Sequence, residues 1–188
     1  MDKKEAIRRA AIKVMAKEGF VNTKMQSIAN KAGIAIGTIY LYFKNKESIL
    51  DFIFMIEYEK KIKYIDILKK DNMPYLHQIN SFLVFLFNEM KKSPNSAKVL
   101  AQESINPELR KLKWVKKTYQ DIPDILSQML DDAKKNGEIR DIDSNIIGST
   151  IYLSSQALAY KMLKEGRESE YEFALEQFIL FTINGIMK

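Results

Sequence analysis

The run MQSIANKAGIAIGTIYLYFK, residues 25–44, decides how this chain folds. Ile28 faces inward, and the small Ala29 beside it lets a second helix cross closely. Four residues on, Gly33 can take the left-handed conformation that turns a chain sharply. Ile34 plugs the turn, and Ile39 packs the second helix on the first. Two tightly crossed helices joined by a turn of three to four residues require these offsets. The run therefore predicts a helix-turn-helix rather than an ordinary helical hairpin. Thr23 is expected to cap the first helix of the pair, with Gln26 reaching back as its partner.

The same run has an outer face. With Ile39 and Phe43 turned inward at i, i+4, the opposite side presents Ile36, Gly37, Thr38, Tyr40 and Tyr42. Gly37 leaves room for close approach to base edges. Thr38 is a short hydroxyl donor near a helix start, where free backbone N–H groups favour phosphate. The tyrosine hydroxyls can donate to phosphate, and their rings can lie against sugar or thymine methyl groups. Thr23 and Lys24, at the start of the first helix, complete the candidate DNA-binding set. Lys46 joins it for another reason. Asn45 reads as an N-cap, so Lys46 sits at a helix N-terminus, where a cation costs a few tenths to about 1 kcal/mol. A phosphate just beyond that terminus removes the conflict; the alternative is a solvated lysine.

Charge points the same way. The chain has 188 residues and a net charge of +6. Residues 1–50 hold ten Lys/Arg against four Asp/Glu, while the remaining 138 residues hold 20 of each sign. The whole surplus sits in the first quarter, which is the footprint of a polyanion-binding module. A solvated lysine-rich surface is the alternative, since the chain has 25 Lys against 5 Arg.

The rest of the composition narrows the function. There is no cysteine, which excludes disulfides and Cys-ligated zinc. His77 is the only histidine, and no phosphate-binding glycine loop or metal-ligand spacing is present, so no catalytic set, metal or cofactor is expected. The start, MDKKEAIRRA, is charged and lacks an apolar h-region, which predicts no signal peptide and a cytoplasmic setting. Residues 144–160, SNIIGSTIYLSSQALAY, are uncharged but carry four Ser, one Thr, one Asn and one Gln. A buried interface helix fits them better than a membrane span.

The pattern predicts helices near 3–18, 24–32, 37–43, 46–70, 74–92, 95–105, 107–119, 122–136, 143–164 and 168–187. Gly19 is expected to stop the first helix, and the prolines at 74, 94, 107 and 123 to open later ones at their first turns. No strand-like alternation or internal repeat appears. The fold class is all-α: a basic three-helix head over 1–45 and a larger, charge-neutral helical body over 46–188.

The run KAGIAIGTIYLYFKNKESIL, residues 31–50, carries Gly33, Gly37, Thr38, Tyr40, Tyr42, Phe43, Lys46 and Leu50. It resembles the TetR family of bacterial one-component repressors over about residues 5–50. The resemblance implies a homodimer whose two heads read a palindromic operator in successive major grooves. It also implies that residues 36 and 37 approach bases, while Thr38, Tyr40, Tyr42 and Lys46 hold phosphate or sugar. Ile36 departs from the polar residue that many members carry there, which replaces polar readout with contact to a thymine methyl.

A head that works in pairs needs a body that supplies the two-fold. The segment FALEQFILFTINGIM, 173–187, is apolar on more than one face and must be buried on both sides. The 144–160 helix offers small residues for close contact. The expected dimer interface is Ile151, Ser154, Leu158, Phe173, Phe178, Phe181 and Thr182, with burial inside a monomer as the alternative. Aromatic and methionine residues in the middle of the body suggest an apolar cavity with few polar groups. Its candidates are Phe82, Phe85, Leu86, Met90, Gln102, Trp114, Leu126, Met129, Tyr152 and Gln156, against ordinary core as the plainer reading of each. The basic cluster Arg110, Lys111, Lys113, Lys116 and Lys117 around Trp114 could hold the phosphates of an acyl thioester. The body also resembles the fatty-acid-responsive branch of the TetR family in KNKESIL, QESINPELR (102–110) and KNGEIRD (135–141), which implies long-chain acyl-CoA or fatty acid as effector. The expected function is a ligand-released repressor, in which ligand shifts the 46–70 helix and separates the heads. The rivals are an enzyme, a repressor answering to another hydrophobic ligand such as a drug, and a DNA-binding protein with a rigid body.

Overall fold

A computed structural model describes residues 2–71, 73–103 and 106–187. Nine α-helices run through them: α1 (Lys3–Asn22), α2 (Met25–Ala32), α3 (Ile36–Tyr40), α4 (Lys46–Lys70), α5 (Tyr75–Lys92), α6 (Pro94–Glu103), α7 (Lys113–Lys135), α8 (Ser144–Glu165) and α9 (Tyr171–Ile186). No strand occurs among the described residues; one isolated bridge pairs Ile139 with Met187. No described helix is long and apolar enough to cross a membrane, the 144–160 segment included.

The helix-turn-helix forms as the sequence predicts. Ile28, Ala29 and Ile39 are fully buried and Phe43 nearly so. Gly33 ends α2 at φ 68°, and the Ile34 N–H returns to the Ala29 carbonyl at 3.1 Å, which closes the sharp turn. Gly19 breaks α1 at φ 76°, as expected. Asn45 caps α4, exchanging hydrogen bonds with Ser48.

Three expectations fail. Thr23 does not cap α2: its hydroxyl donates to the Gly19 carbonyl at 2.7 Å, and Gln26 donates to Asn30. The carbonyls freed by the break at Gly19 need donors more than α2 needs a cap. The third helix is shorter than 37–43, because Tyr42 and Phe43 both donate to the Ile39 carbonyl and tighten its end. The helices expected at 107–119 and 122–136 are one helix, α7, which runs through Pro123; before it Leu109–Lys111 form a single 3-10 turn. A proline inside a helix costs about 3 kcal/mol. Burial of a continuous stripe, Val115, Thr118, Ile122, Leu126, Met129, Leu130 and Ala133, offsets that cost. Ser104 and Ile105 of the QESINPELR run lie outside the described residues.

Two cores result. The body core joins α4, α5, α7, α8 and α9 around Phe82, Leu86, Leu126, Met129 and Tyr152. The head core does not stop at residue 45. It takes Ile49, Leu50, Ile53 and Phe54 from α4, Val99 and Leu100 from α6, and Leu109 and Val115 beyond. The head is therefore seated on the start of α4 and on α6.

Candidate nucleic-acid interface and effector cavity

The head offers a surface that its own fold does not use. Tyr40 and Tyr42 are exposed, as are Lys24, Gly37 and Lys44; Ile36 and Thr38 are half-buried, with Ile36 leaning on the head core. Gly37 has an ordinary helical conformation, and a Cβ added to it would meet no atom within 4 Å. Glycine in a helix costs up to about 1 kcal/mol relative to alanine. Among the described residues nothing closes on this position, which leaves it open to a group approaching from outside.

Two candidates leave this surface. Thr23 is buried, with its hydroxyl committed to Gly19. Lys46 does not point outward to an anion: its ammonium reaches back to the carbonyls of Phe20 and Val21 at 2.8 Å each and of Thr23 at 3.2 Å, and lies 4.6 Å from the centre of the Phe20 ring. The conflict between a lysine and a helix N-terminus is resolved within the chain. Lys46 starts α4 but satisfies the carbonyl end of α1, where a cation is favoured.

In the body, the ten ligand candidates separate. Phe85, Leu86, Met90 and Gln156 line one cavity between α4, α5, α6 and α8, with a volume of about 30 Å³. That is room for a single water. Phe82, Leu126, Met129 and Tyr152 are packed in the body core and line no part of this cavity. Gln102 is half-buried, with its carbonyl oxygen unpartnered among the described residues. Aromatic and methionine content marks an interior, but close packing has used most of it.

Trp114 belongs elsewhere too. It packs against the head core, with Tyr58 at 5.4 Å between ring centres and the ammonium groups of Lys113 and Lys117 at 4.8 and 5.7 Å from its own. Its backbone N–H donates to Asp51, which thereby caps α7 from α4. Lys117 pairs with Asp121 and Lys111 with Glu108. The cluster is a surface joint between α4 and α7, away from the cavity.

The cavity has residues that the sequence reading passed over. Glu57 and Lys61 line it and are buried. Both lie on the inward stripe of α4, which runs Leu50, Phe54, Glu57, Lys61, Ile65, Leu68. Two charged residues in a core register are a signal that the sequence carried. Glu57 is held by Lys60 at 2.9 Å and by Arg8 of α1 at 3.7 Å, an ion pair between head and body. Burial pushes the Lys61 ammonium below its ordinary pKa, partly countered by Glu57.

The last two helices turn apolar side chains outward. Ile146 and Leu153 on α8, and Phe173, Leu180 and Phe181 on α9, are exposed, with Phe181 at 78%. Ile151, Phe178 and Thr182, expected in an interface, belong instead to this chain's own interior: Phe178 packs on Phe87 at 5.9 Å, and the Thr182 hydroxyl donates to the Phe178 carbonyl. Ser154 and Leu158 are half-buried. Both helices carry two apolar faces, and only the packing tells which turns inward.

Residues 7–52 match the model of the bacterial regulatory proteins, tetR family. Over 62 residues the chain is 45% identical to the fatty acid metabolism regulator protein of Bacillus subtilis, covering 33% of this chain and 30% of that one. The fold matches the fatty acid degradation regulator FadR from Bacillus halodurans with TM-score 0.84 at 22% identity, over 98% of this chain and 96% of that chain. It also matches the transcriptional regulator FadR from Bacillus subtilis, solved in complex with stearoyl-CoA, with TM-score 0.76 at 26% identity, over 93% and 96% of the two chains.

Proposed function

We propose that the chain is a TetR-family regulator of transcription and, on that premise, a repressor released from DNA by an apolar, acyl-bearing effector. The head, residues 1–45, reads one half of a palindromic operator. Gly37 and Ile36 approach bases, and Lys24, Thr38, Tyr40 and Tyr42 hold phosphate or sugar. The body, residues 46–188, pairs two copies through the exposed stripe of α8 and α9, which sets the heads about 34–36 Å apart. The protein is not an enzyme and works in the cytoplasm.

One observation carries the effector reading. Leu100 of α6 lines the body cavity and is also part of the head core, with Val99 beside it in that core and Ala97 lining the cavity. The cavity holds about 30 Å³, so a chain-like ligand must push its walls apart. Pushing α6 moves the seat of the head. The effector acts through α6 as well as α4, and its differential affinity for the opened state supplies the coupling, typically about 1–3 kcal/mol. Long-chain acyl-CoA or fatty acid fits this reading, because a regulator of like fold was solved with stearoyl-CoA.

The test is to select bound duplexes from a random pool with the full-length protein, then titrate the complex with oleoyl-CoA and oleate. The reading expects an inverted repeat, two chains per site, and release by an acyl ligand. Selection of no symmetric site, or a complex indifferent to both ligands, would refute it.

A further inference from the structure

We propose that the junction of α4 and α6 is an oxyanion site, in which the Lys61 ammonium and the Ser96 hydroxyl receive the charged head of an amphipathic effector. This deepens the repressor reading and rests on it. The effector tail enters along Phe85, Leu86, Met90 and Leu100, the apolar side of the same cavity.

Lys61 is 7% exposed and sits on the inward stripe of α4. An ammonium has three donors. Among the described residues, its one hydrogen bond goes to the Glu57 carbonyl of its own helix, at 3.2 Å. The neighbouring carboxylates are engaged elsewhere: Glu57 with Lys60 and Arg8, and Glu89 with Lys92 at 3.0 Å and Lys60 at 3.7 Å. Among the described residues no carboxylate forms an ion pair with Lys61; such burial is costly to the fold and lowers its pKa, partly countered by the charges of Glu57 and Glu89. Such a cost persists in a protein where the group serves something else.

Ser96 supplies the second half. It is 5% exposed, lines the cavity, and among the described residues its hydroxyl oxygen has no hydrogen-bond partner. It is the third residue of α6, where first-turn N–H groups lack intrahelical acceptors and favour an anion. The cavity's 30 Å³ holds one water, so a carboxylate tip enters as the walls part. On the outer side of Glu57, Lys60 and Ser96 lies a cleft of about 330 Å³, lined also by Arg8, Arg9, Lys13 and Lys92. The shared chemistry is thus an oxyanion, from a fatty-acid carboxylate within or from a phosphate of an acyl thioester at the cleft. A phosphate at the cleft competes with Glu57 for Arg8 and Lys60, so its binding loosens the ion pair that joins head to body.

The experiment uses full-length protein with decanoate, 1-decanol and decanoyl-CoA, read by calorimetry and thermal unfolding. Decanoate or decanoyl-CoA is expected to bind wild type at least about tenfold more tightly than 1-decanol, the loss typical of a charge-assisted hydrogen bond. Lys61→Met is expected to lose that advantage, yet to unfold at a higher temperature than wild type without ligand. Ser96→Ala is expected to weaken the anion by a smaller factor, and it carries the test if Lys61→Met fails to fold. Dependence on Lys61 for decanoate assigns the carboxylate; dependence for decanoyl-CoA alone assigns the phosphate. Equal anion binding by wild type and both variants overturns the site, as does a Lys61→Met protein that folds but melts below wild type. Release of DNA by acyl ligands in wild type and Lys61→Met alike overturns the site while leaving the repressor reading intact. Failure of every acyl ligand to bind wild type overturns both.

Discussion

At Gly37 the proposed function sets a need of the partner against a need of the fold. Its Cβ position is empty, so Gly37→Ala is expected to raise stability by about 0.5–1 kcal/mol in denaturant unfolding. The same substitution is expected to weaken operator binding at least about tenfold, since one close contact to a base edge is worth about 1–3 kcal/mol. A variant both more stable and equally tight on DNA would remove Gly37 from the interface. Glu5 gives a prediction in pH. Hydrogen bonding by Arg8, with Arg9 nearby, holds its carboxyl at about 2 against an ordinary 4.5. The folded value lies below the unfolded one, so its stabilisation is whole above pH 4.5 and is lost as pH falls towards 2. Acid unfolding of Glu5→Gln is expected to show a shallower loss across that window than wild type. Lys46 shows how a residue can be legible in place and not in role. Asn45 marked it correctly as the first residue of a helix, but its partners lie more than twenty residues back in sequence, at the end of α1.

Elements whose logic is local could be read from sequence; those decided by distant packing could not. Gly33 and its aliphatic neighbours fix the helix-turn-helix within fifteen residues. Pro123 reads as a helix start, because the stripe that keeps α7 whole is apparent only once α8 lies against it. That contact turns on Gly148. A Cβ there would lie 2.5 Å from the Ser127 hydroxyl, 2.9 Å from the Ser127 nitrogen and 3.1 Å from the Pro123 carbonyl. Two of these atoms are backbone and cannot step aside. Gly148→Ala is therefore expected to destabilise the body by about 1–3 kcal/mol, as overpacking does, although alanine is the better helix former. A neutral or stabilising effect would mean that α7 and α8 do not pack this closely. The cavity was misread for a related reason. Aromatic residues announce an interior in general, whereas Glu57 and Lys61 on the apolar stripe of α4 mark one place in it.

At the scale of the molecule, the chain divides its tasks by charge and by exposure. The positive surplus is confined to the head, and five exposed large apolar side chains gather on α8 and α9. Phe181 is the most exposed of them, and Phe181→Asp is expected to give monomers in sedimentation. Those monomers should keep a folded head but lose palindrome affinity at least about tenfold, since hot-spot truncations commonly cost 2 kcal/mol or more. A Phe181→Asp dimer that binds normally would move the interface elsewhere. The central claim is that one small molecule in the body decides whether two heads fit DNA. The direct measurement is fluorescence anisotropy of a labelled operator duplex bound to the protein, titrated with oleoyl-CoA, beside calorimetry of the same ligand on free protein. Release is expected, with DNA affinity lowered about 5- to 150-fold and ligand affinity lowered by the same factor when DNA is bound. Ligand bound equally well with and without DNA, on a complex that does not dissociate, would contradict it.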